Sequence, residues 1–449
     1  MESLSSTTKH EIHCLLNPLQ QTQTQSSSPG NQAKIQKVPP YLRERSEFKK
    51  HYFPKVVSIG PIHHPKGEEF KKMWTSNYLK DKVGQKQEDA EQLFGKIRSQ
   101  IKELKSLYAE DVIQCLHGDD DKLAWILFVD GCASLHVMHK VGETEPSKFQ
   151  ALDTIVQQDL LLLENQLPYK VLKILSKNDD DADSALRSFI HHIKNRLIET
   201  RGSEGESQVV QINQPAHLLD ALITVIVTKE HTEEHTKEHT KEHIHTITID
   251  IKQSHDDKSP CKKRKDTKFP THRNIQELQT SGIKIKDNAG QSLTSIYFRH
   301  DTLFIPPLMV DDFTVQTFMN MMAYEMCPDF KSNYEISNYV SFLDSLIDHA
   351  DDVKVLRKAG VINNYLGSDE EVAHIFNTAS TDFVIDTGIY EPVRQQIEGV
   401  YTHKAMTWFT ELRRKHFNTP WSIIGLISAI LGFILTTVNL KEKLGPKKH

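Results

Sequence analysis

The stretch LAWILFVDGCASLHVM, Leu123–Met138, has no polar face when it is read as a helix. A helix that is apolar all round has to be covered on every side. This stretch therefore predicts a buried helix, and other helices are available to cover it. Ala90, Leu93, Phe94, Ile97, Ile101, Leu104 and Tyr108 form a stripe at helical spacing. Leu218, Leu219, Leu222, Ile223 and Ile226 form another, as do Val315, Phe318, Met319 and Met322, and then Val340, Leu343, Leu346 and Ile347. Pro168 is placed to open a helix over PYKVLKILS. DDVKVLRKAG has acids first, bases last and Gly360 as its stop. Ser368 and Glu371 have the spacing of a capping box.

The period changes once. Ile283 and Ile285 alternate with Lys284 and Lys286, and the turn residues Asp287, Asn288 and Gly290 follow. TSIYF and TLFIP are separated by Arg299–Asp301, so the segment predicts a small antiparallel β meander. The expected fold class is mainly α: a multi-helix body with that meander and a single C-terminal transmembrane helix.

The last element is expected from WSIIGLISAILGFILTTVNL, residues 421–440, which carries no charge. Twenty helical residues span roughly 30 Å, the thickness of the hydrocarbon layer. Eleven of the twenty are Leu, Ile, Val or Phe, which favours insertion by roughly 3–7 kcal/mol before the polar residues subtract. Trp421 stands at one end, and basic residues flank both. The expectation is a single-pass, tail-anchored protein in the plasma membrane with its bulk in the cytosol, touching the lipid bilayer through 421–440. Gly425, Ser428, Ala429 and Gly432 fall on one side of that helix. Small residues at this spacing let two backbones approach, so a homo-oligomer or a partner helix is expected there.

The length of 449 residues allows one large domain or two ordinary ones. Residues 1–35 read as a disordered, Ser/Gln/Thr-rich tail with no signal-peptide core. The body runs over 36–418, and 441–449 is a basic tail. A low-complexity His/Glu/Thr/Lys insertion interrupts the body at 228–270. A net charge of -5 gives no global basic field for nucleic acid. Five scattered cysteines without CxxC spacing point to a reducing compartment and against a zinc ribbon.

Few residues suggest chemistry. His231, His235, His239 and His243 recur every fourth residue, and two such histidines on one helix face can share a zinc or nickel ion. Repeat slippage giving a solvated segment is the plainer reading. His63 and His64 follow a Gly-Pro turn, and adjacent histidines serve as ligands or as a general base. Glu164, Asn165 and Gln166 place a carboxylate and two amides in an apolar setting, and Asp130 lies inside the buried helix. Each must be hydrogen-bonded to be tolerated there. They form either a polar binding cluster or a network that satisfies backbone groups. No P-loop, nucleophile elbow or HExxH stretch occurs.

In order along the chain, VPPYLRE, YFPKVVSIGPIHH, FVDGCASL, DLLLLENQLP, IPPLMVDDFTVQTFMNMMAYE, LIDHADDVKVLRKAGVINNYLGSDEEVAHIFN and HFNTPWSIIGLISAILGFILT resemble a plant family, domain of unknown function 247. The motif positions are Ser58, Gly60, Pro61, His63, His64, Asp130, Gly131, Cys132, Glu164, Asn165, Gln166, Pro168, Pro420 and Trp421. The resemblance implies a mainly helical plant protein, usually with one C-terminal membrane segment and with no established activity or cofactor. Some grass relatives are tied to pollen self-incompatibility, which implies recognition or signalling through an unknown protein partner. The expected function is therefore a membrane-anchored, non-enzymatic interaction component. The alternative is an enzyme with a polar pocket around Asp130, Glu164 and His64.

Overall fold

The structure, a computed structural model, describes residues 34–416, 428 and 431–437, apart from 46–47, 84–86, 117, 144–150, 199–211, 213, 229–272, 289–291, 331–332, 380–382, 384 and 386–387. The major helices are α1 (Glu68–Tyr78), α2 (Gln87–Ser99), α3 (Asp120–Glu143), α4 (Ala151–Leu160), α5 (Tyr169–Leu175), α6 (Asp179–Leu197) and α7 (Leu218–Val227). After the small sheets begin come α8 (Asp312–Glu325), α9 (Glu335–Asp344), α10 (Ala350–Lys358), α11 (Asp369–Ala379) and α12 (Glu391–His416).

The helix without a polar face is α3, and it lies where its composition demands. Helices α1, α2, α5 and α6 all pack on it. Gly131 permits the closest of these approaches: a Cβ there would stand 2.4 Å from Leu175 Cδ1 on α5. The stripe from Ala90 to Tyr108 is broken at Gln100, so α2 stops and a short helix, Ile101–Ser106, turns Leu104 into the core. In the second half α8 packs against α9, α9 against α11 and α10 against α11. One continuous apolar core joins the halves.

Two small sheets stand in place of the expected meander. Strands β1 (Lys284–Asp287), β2 (Tyr297–Arg299) and β3 (Thr302–Ile305) lie in the order β1-β3-β2. The β2–β3 hairpin is antiparallel with Phe298 opposite Leu303, as expected. The correction concerns β1, which runs parallel to β3 with Ile285 opposite Leu303. After β1 the chain leaves the sheet instead of turning back. Buried Ser292 donates to the Ile226 carbonyl at 2.9 Å, and Leu293 inserts beside it, so the crossing is pinned to the end of α7. Strands β4 (Leu308–Val310) and β5 (Ile362–Asn364) form a separate parallel pair.

The expected transmembrane helix is also corrected. Among the described residues no helix is long and apolar enough to cross a membrane. Of 421–440, Ser428 and 431–437 are described as helical. The two longest described helices fail on polarity. Helix α12 carries Glu391, Arg394, Glu398 and Lys404, and α3 runs from Asp120 to Glu143 with Asp130 at its middle. The single-pass, tail-anchored localisation loses its structural basis with that helix. Ser428 and Gly432 are exposed. Gly425, Ala429, Pro420 and Trp421 lie outside the described residues, as do the histidine repeat and most of the 228–270 insertion.

Candidate functional site

The sequence motifs converge on one loop, residues 54–66. Ser58 closes it on itself: its backbone N–H and hydroxyl donate to the Lys66 carbonyl, and its hydroxyl accepts the Lys66 N–H at 2.9 Å. Gly60 sits at φ +77° against the Gln166 carbonyl, where a Cβ would be only 2.7 Å from the oxygen. Pro61 is buried behind it.

Two carboxylates grip this loop from different elements. Asp130, on α3, accepts the Gly60 N–H at 2.9 Å and pairs with the Lys71 ammonium of α1 at 2.8 Å. Asp130 is 1% exposed and Lys71 is fully buried. Burial pushes the Asp130 carboxyl up to about 6, against the pull of Lys71 and the Gly60 amide. Lys71 also lies 3.2 Å from Glu68, which in turn lies 3.6 Å from His64 and 3.8 Å from Lys72. Desolvation and the Lys71 charge lower the His64 pKa. Glu164, from the loop between α4 and α5, accepts the Val38 N–H at 2.7 Å and pairs with Arg43. His63 Nε2 stands 3.0 Å from its second oxygen.

The rest of LENQLP serves the backbone. Asn165 accepts the Ile59 N–H at 2.6 Å and donates to the Val57 and Asp159 carbonyls. Gln166 donates to the Leu160 and Leu162 carbonyls and accepts the Leu219 N–H. Pro168 opens α5 as its N-terminal cap residue. Cys132 is buried, which pushes its thiol far above the usual range. The motif residues Asp130, Gly60, His63 and Glu164 do meet, but as a clamp in which each oxygen has a local partner.

Sequence reasoning missed several members of the clamp. Asp159 accepts the N–H groups of Lys55, Val56 and Val57. Asn320, from α8, accepts the Leu163 N–H and donates to the His51 carbonyl. The available signal was position: Lys71 lies on the α1 face that buries Thr75 and Tyr78, and Asn320 lies in a helix that is otherwise apolar at that turn.

The larger cavity lies elsewhere. A cleft of about 390 Å³ opens between the segment Arg45–Lys55, α8 and α11. Tyr52, Gln316 and Met319 form its floor, and Lys50, Lys55 and His374 stand on its exposed edge. A second recess of about 30 Å³ shares Val315, Met319, Ile375 and Ala379 with it and continues among Phe318 and Phe376. Asp130, Glu164 and His64 line neither. Among the described residues no group of three or more His, Cys, Asp or Glu is placed to hold a metal ion.

A family profile described as "Plant protein of unknown function" matches residues 35–435. The UPF0481 protein At3g47200 of Arabidopsis thaliana is 29% identical over 426 residues, covering 89% of this chain and 85% of its own. A putative UPF0481 protein of the same plant, At3g02645, is 22% identical over 169 residues, covering 37% of this chain and 32% of its own. No solved structure matches.

Proposed function

Since the chain belongs to the domain of unknown function 247, a family of plant proteins without an assigned function, we propose that it is a non-enzymatic recognition component whose helical body binds a protein partner. One observation carries the reading. The carboxylates best suited to acid–base work, Asp130 and Glu164, are 1% and 2% exposed and are occupied by backbone N–H groups and by Lys71, Arg43 and His63. An enzyme built on Asp130, Glu164 and His64 would need a cavity that reaches them, and neither cavity described above does.

Trp125 supplies a contact point for a partner. It is 52% exposed at the start of α3, with Phe94 and Phe128 at ring distances of 5.9 and 6.0 Å. Ion pairs Arg98–Asp121 and Lys105–Asp120 stand one turn before it. An aromatic centre with a charged rim is the usual anatomy of an interface hot spot. Proximity labelling in intact plant cells, with the full chain and with Trp125→Ala, tests this. A defined set of proteins enriched by the wild type and lost with the variant supports the reading. No enrichment over an untagged control overturns it, and enrichment indifferent to Trp125 removes this surface from it.

A further inference from the structure

The clamp leaves the 390 Å³ cleft without a role, and its lining holds two donors with no acceptor among the described residues. Gln316, on α8, is 3% exposed, and its amide nitrogen has no acceptor among the described residues. Arg45 donates through Nη2 to the Thr378 carbonyl at 3.0 Å, while its Nη1 is buried without an acceptor. A buried donor left unpaired costs on the order of 1–3 kcal/mol. Two lining one cavity are a large cost unless something else accepts from them. Both residues border the cleft, whose volume falls in the range of small-molecule sites, roughly 300–1,000 Å³.

The charges of the lining select the acceptor. Among the described lining residues Arg45, Lys50 and Lys55 face Asp312 and Glu371, so their permanent charges leave one positive in excess. A monoanion balances that excess, and a dianion overshoots it. A guanidinium N–H and an amide NH₂ lining the same cleft can each donate to one oxygen of a carboxylate. The floor then asks for an apolar remainder. Val315, Met319 and Ile375 line the cleft and lead into the small recess, which has no polar lining surface and is walled by Phe318 and Phe376.

We infer that this cleft is a binding site for a small amphipathic monocarboxylic acid, its carboxylate held by Arg45 and Gln316 and its apolar end directed toward the recess between α8 and α11. The site is separate from the proposed partner surface at Trp125, and each can fail without the other.

Isothermal titration of the full chain with phenylacetate tests it, with neutral phenylacetamide and doubly charged phenyl phosphate as comparators. Phenylacetate should bind at least tenfold more tightly than either. Arg45→Gln should weaken it at least tenfold and Gln316→Leu about fivefold. Lys50→Glu lies on the exposed edge, where the fold is not at risk, and should weaken binding about tenfold by reversing the excess charge. Saturable binding that follows this order supports the site. Phenylacetamide binding as tightly as phenylacetate, binding indifferent to Lys50→Glu, or no heat of binding up to millimolar phenylacetate overturns it. A preference for phenyl phosphate overturns the monoanion assignment.

Discussion

At the scale of single residues, three buried titratable groups pull stability in opposite directions with pH. Glu325 caps α9, accepting the Ile336 and Ser337 N–H groups at 2.8 and 2.9 Å, yet burial pushes its carboxyl from 4.5 up to about 7. The folded state therefore holds this proton more tightly than the unfolded chain, and stability falls as pH rises from about 4.5 to about 7. Asp130 acts in the same sense up to about 6. His217 does the reverse. Its Nδ1 accepts the Asp220 N–H at the start of α7, which requires the neutral ring, and burial lowers it from 6.5 to about 4. Its contribution is lost as pH falls from about 6.5 to about 4. The Glu325 and His217 effects are each worth about 3 kcal/mol and oppose each other in the native chain. His217→Asn keeps a capping oxygen and removes the titration. Its thermal midpoint should fall from pH 4.5 to pH 7, whereas that of Glu325→Gln, where Asp130 offsets most of the His217 effect up to about pH 6, should be nearly level or rise slightly. Parallel profiles for the two variants would contradict the assignment.

The buried pair gives a second test at this scale. Asp130→Asn strands Lys71, leaving the half-exposed Glu68 as its remaining acidic neighbour. Breaking one side of such a pair costs about 3–5 kcal/mol. Lys71→Met together with Asp130→Asn removes the stranded charge and should recover part of the loss in urea unfolding. A single variant within about 1 kcal/mol of the native protein would mean that the pair is not buried as described.

At the scale of elements, the helices were largely legible because each had a stripe to bury. Helices α3, α7 and α8 lie where apolar spacing placed them, whereas α9 ends at Asp344, before Leu346 and Ile347 of its stripe, which are buried in the turn that follows. The Ser368 box was half right. The Ser368 hydroxyl accepts the Glu371 N–H at 3.2 Å, but the Glu371 carboxylate accepts from Gly367 instead of returning to Ser368. Strand direction was not legible. Alternation in IKIKD reports which face is buried, not whether the neighbour runs parallel, and the deciding contact of Ser292 with α7 lies 66 residues away. The β2–β3 turn also departs from the usual chemistry. His300 and Asp301 take φ +49° and +55°, a turn that favours Asn-Gly because other residues pay about 1 kcal/mol for the left-handed region. Replacing His300-Asp301 with Asn-Gly should stabilise the protein by about 1 kcal/mol in thermal or urea unfolding. A loss of stability would show that the Lys404–Asp301 pair at 2.8 Å outweighs the backbone strain.

At the scale of the whole molecule, the residues of the candidate cluster were legible and their purpose was not. Sequence named Asp130, Glu164 and His63 but could not show what they touch, because every partner lies on another element. The N-terminal arm shows how far such contacts reach. Ile35, Val38 and Leu42 are almost fully buried, Gln36 donates to Asp329 at 2.9 Å, and Arg45 reaches Thr378. Burying three such side chains contributes roughly 5–9 kcal/mol, as much as the net stability of many domains. A chain beginning at Phe48 should therefore fail to fold or melt far below one beginning at Lys34. Equal midpoints would mean that the arm is an accessory.

Asn165 and Gln166 of the LENQLP turn reach their neighbours through peptide groups alone: Ile59, Val57, Asp159, Leu160, Leu162 and Leu219 are all held by N–H or carbonyl, while Glu164 adds the Arg43 and His63 side chains. A peptide group is the same whatever side chain it carries. The joint therefore leaves the outward side chains of the segments it fastens chemically independent of it. Exposed positions such as Trp125, on the helix whose Asp130 grips the same loop, can be exchanged for others with the lock untouched, so one frame can carry many different exposed surfaces.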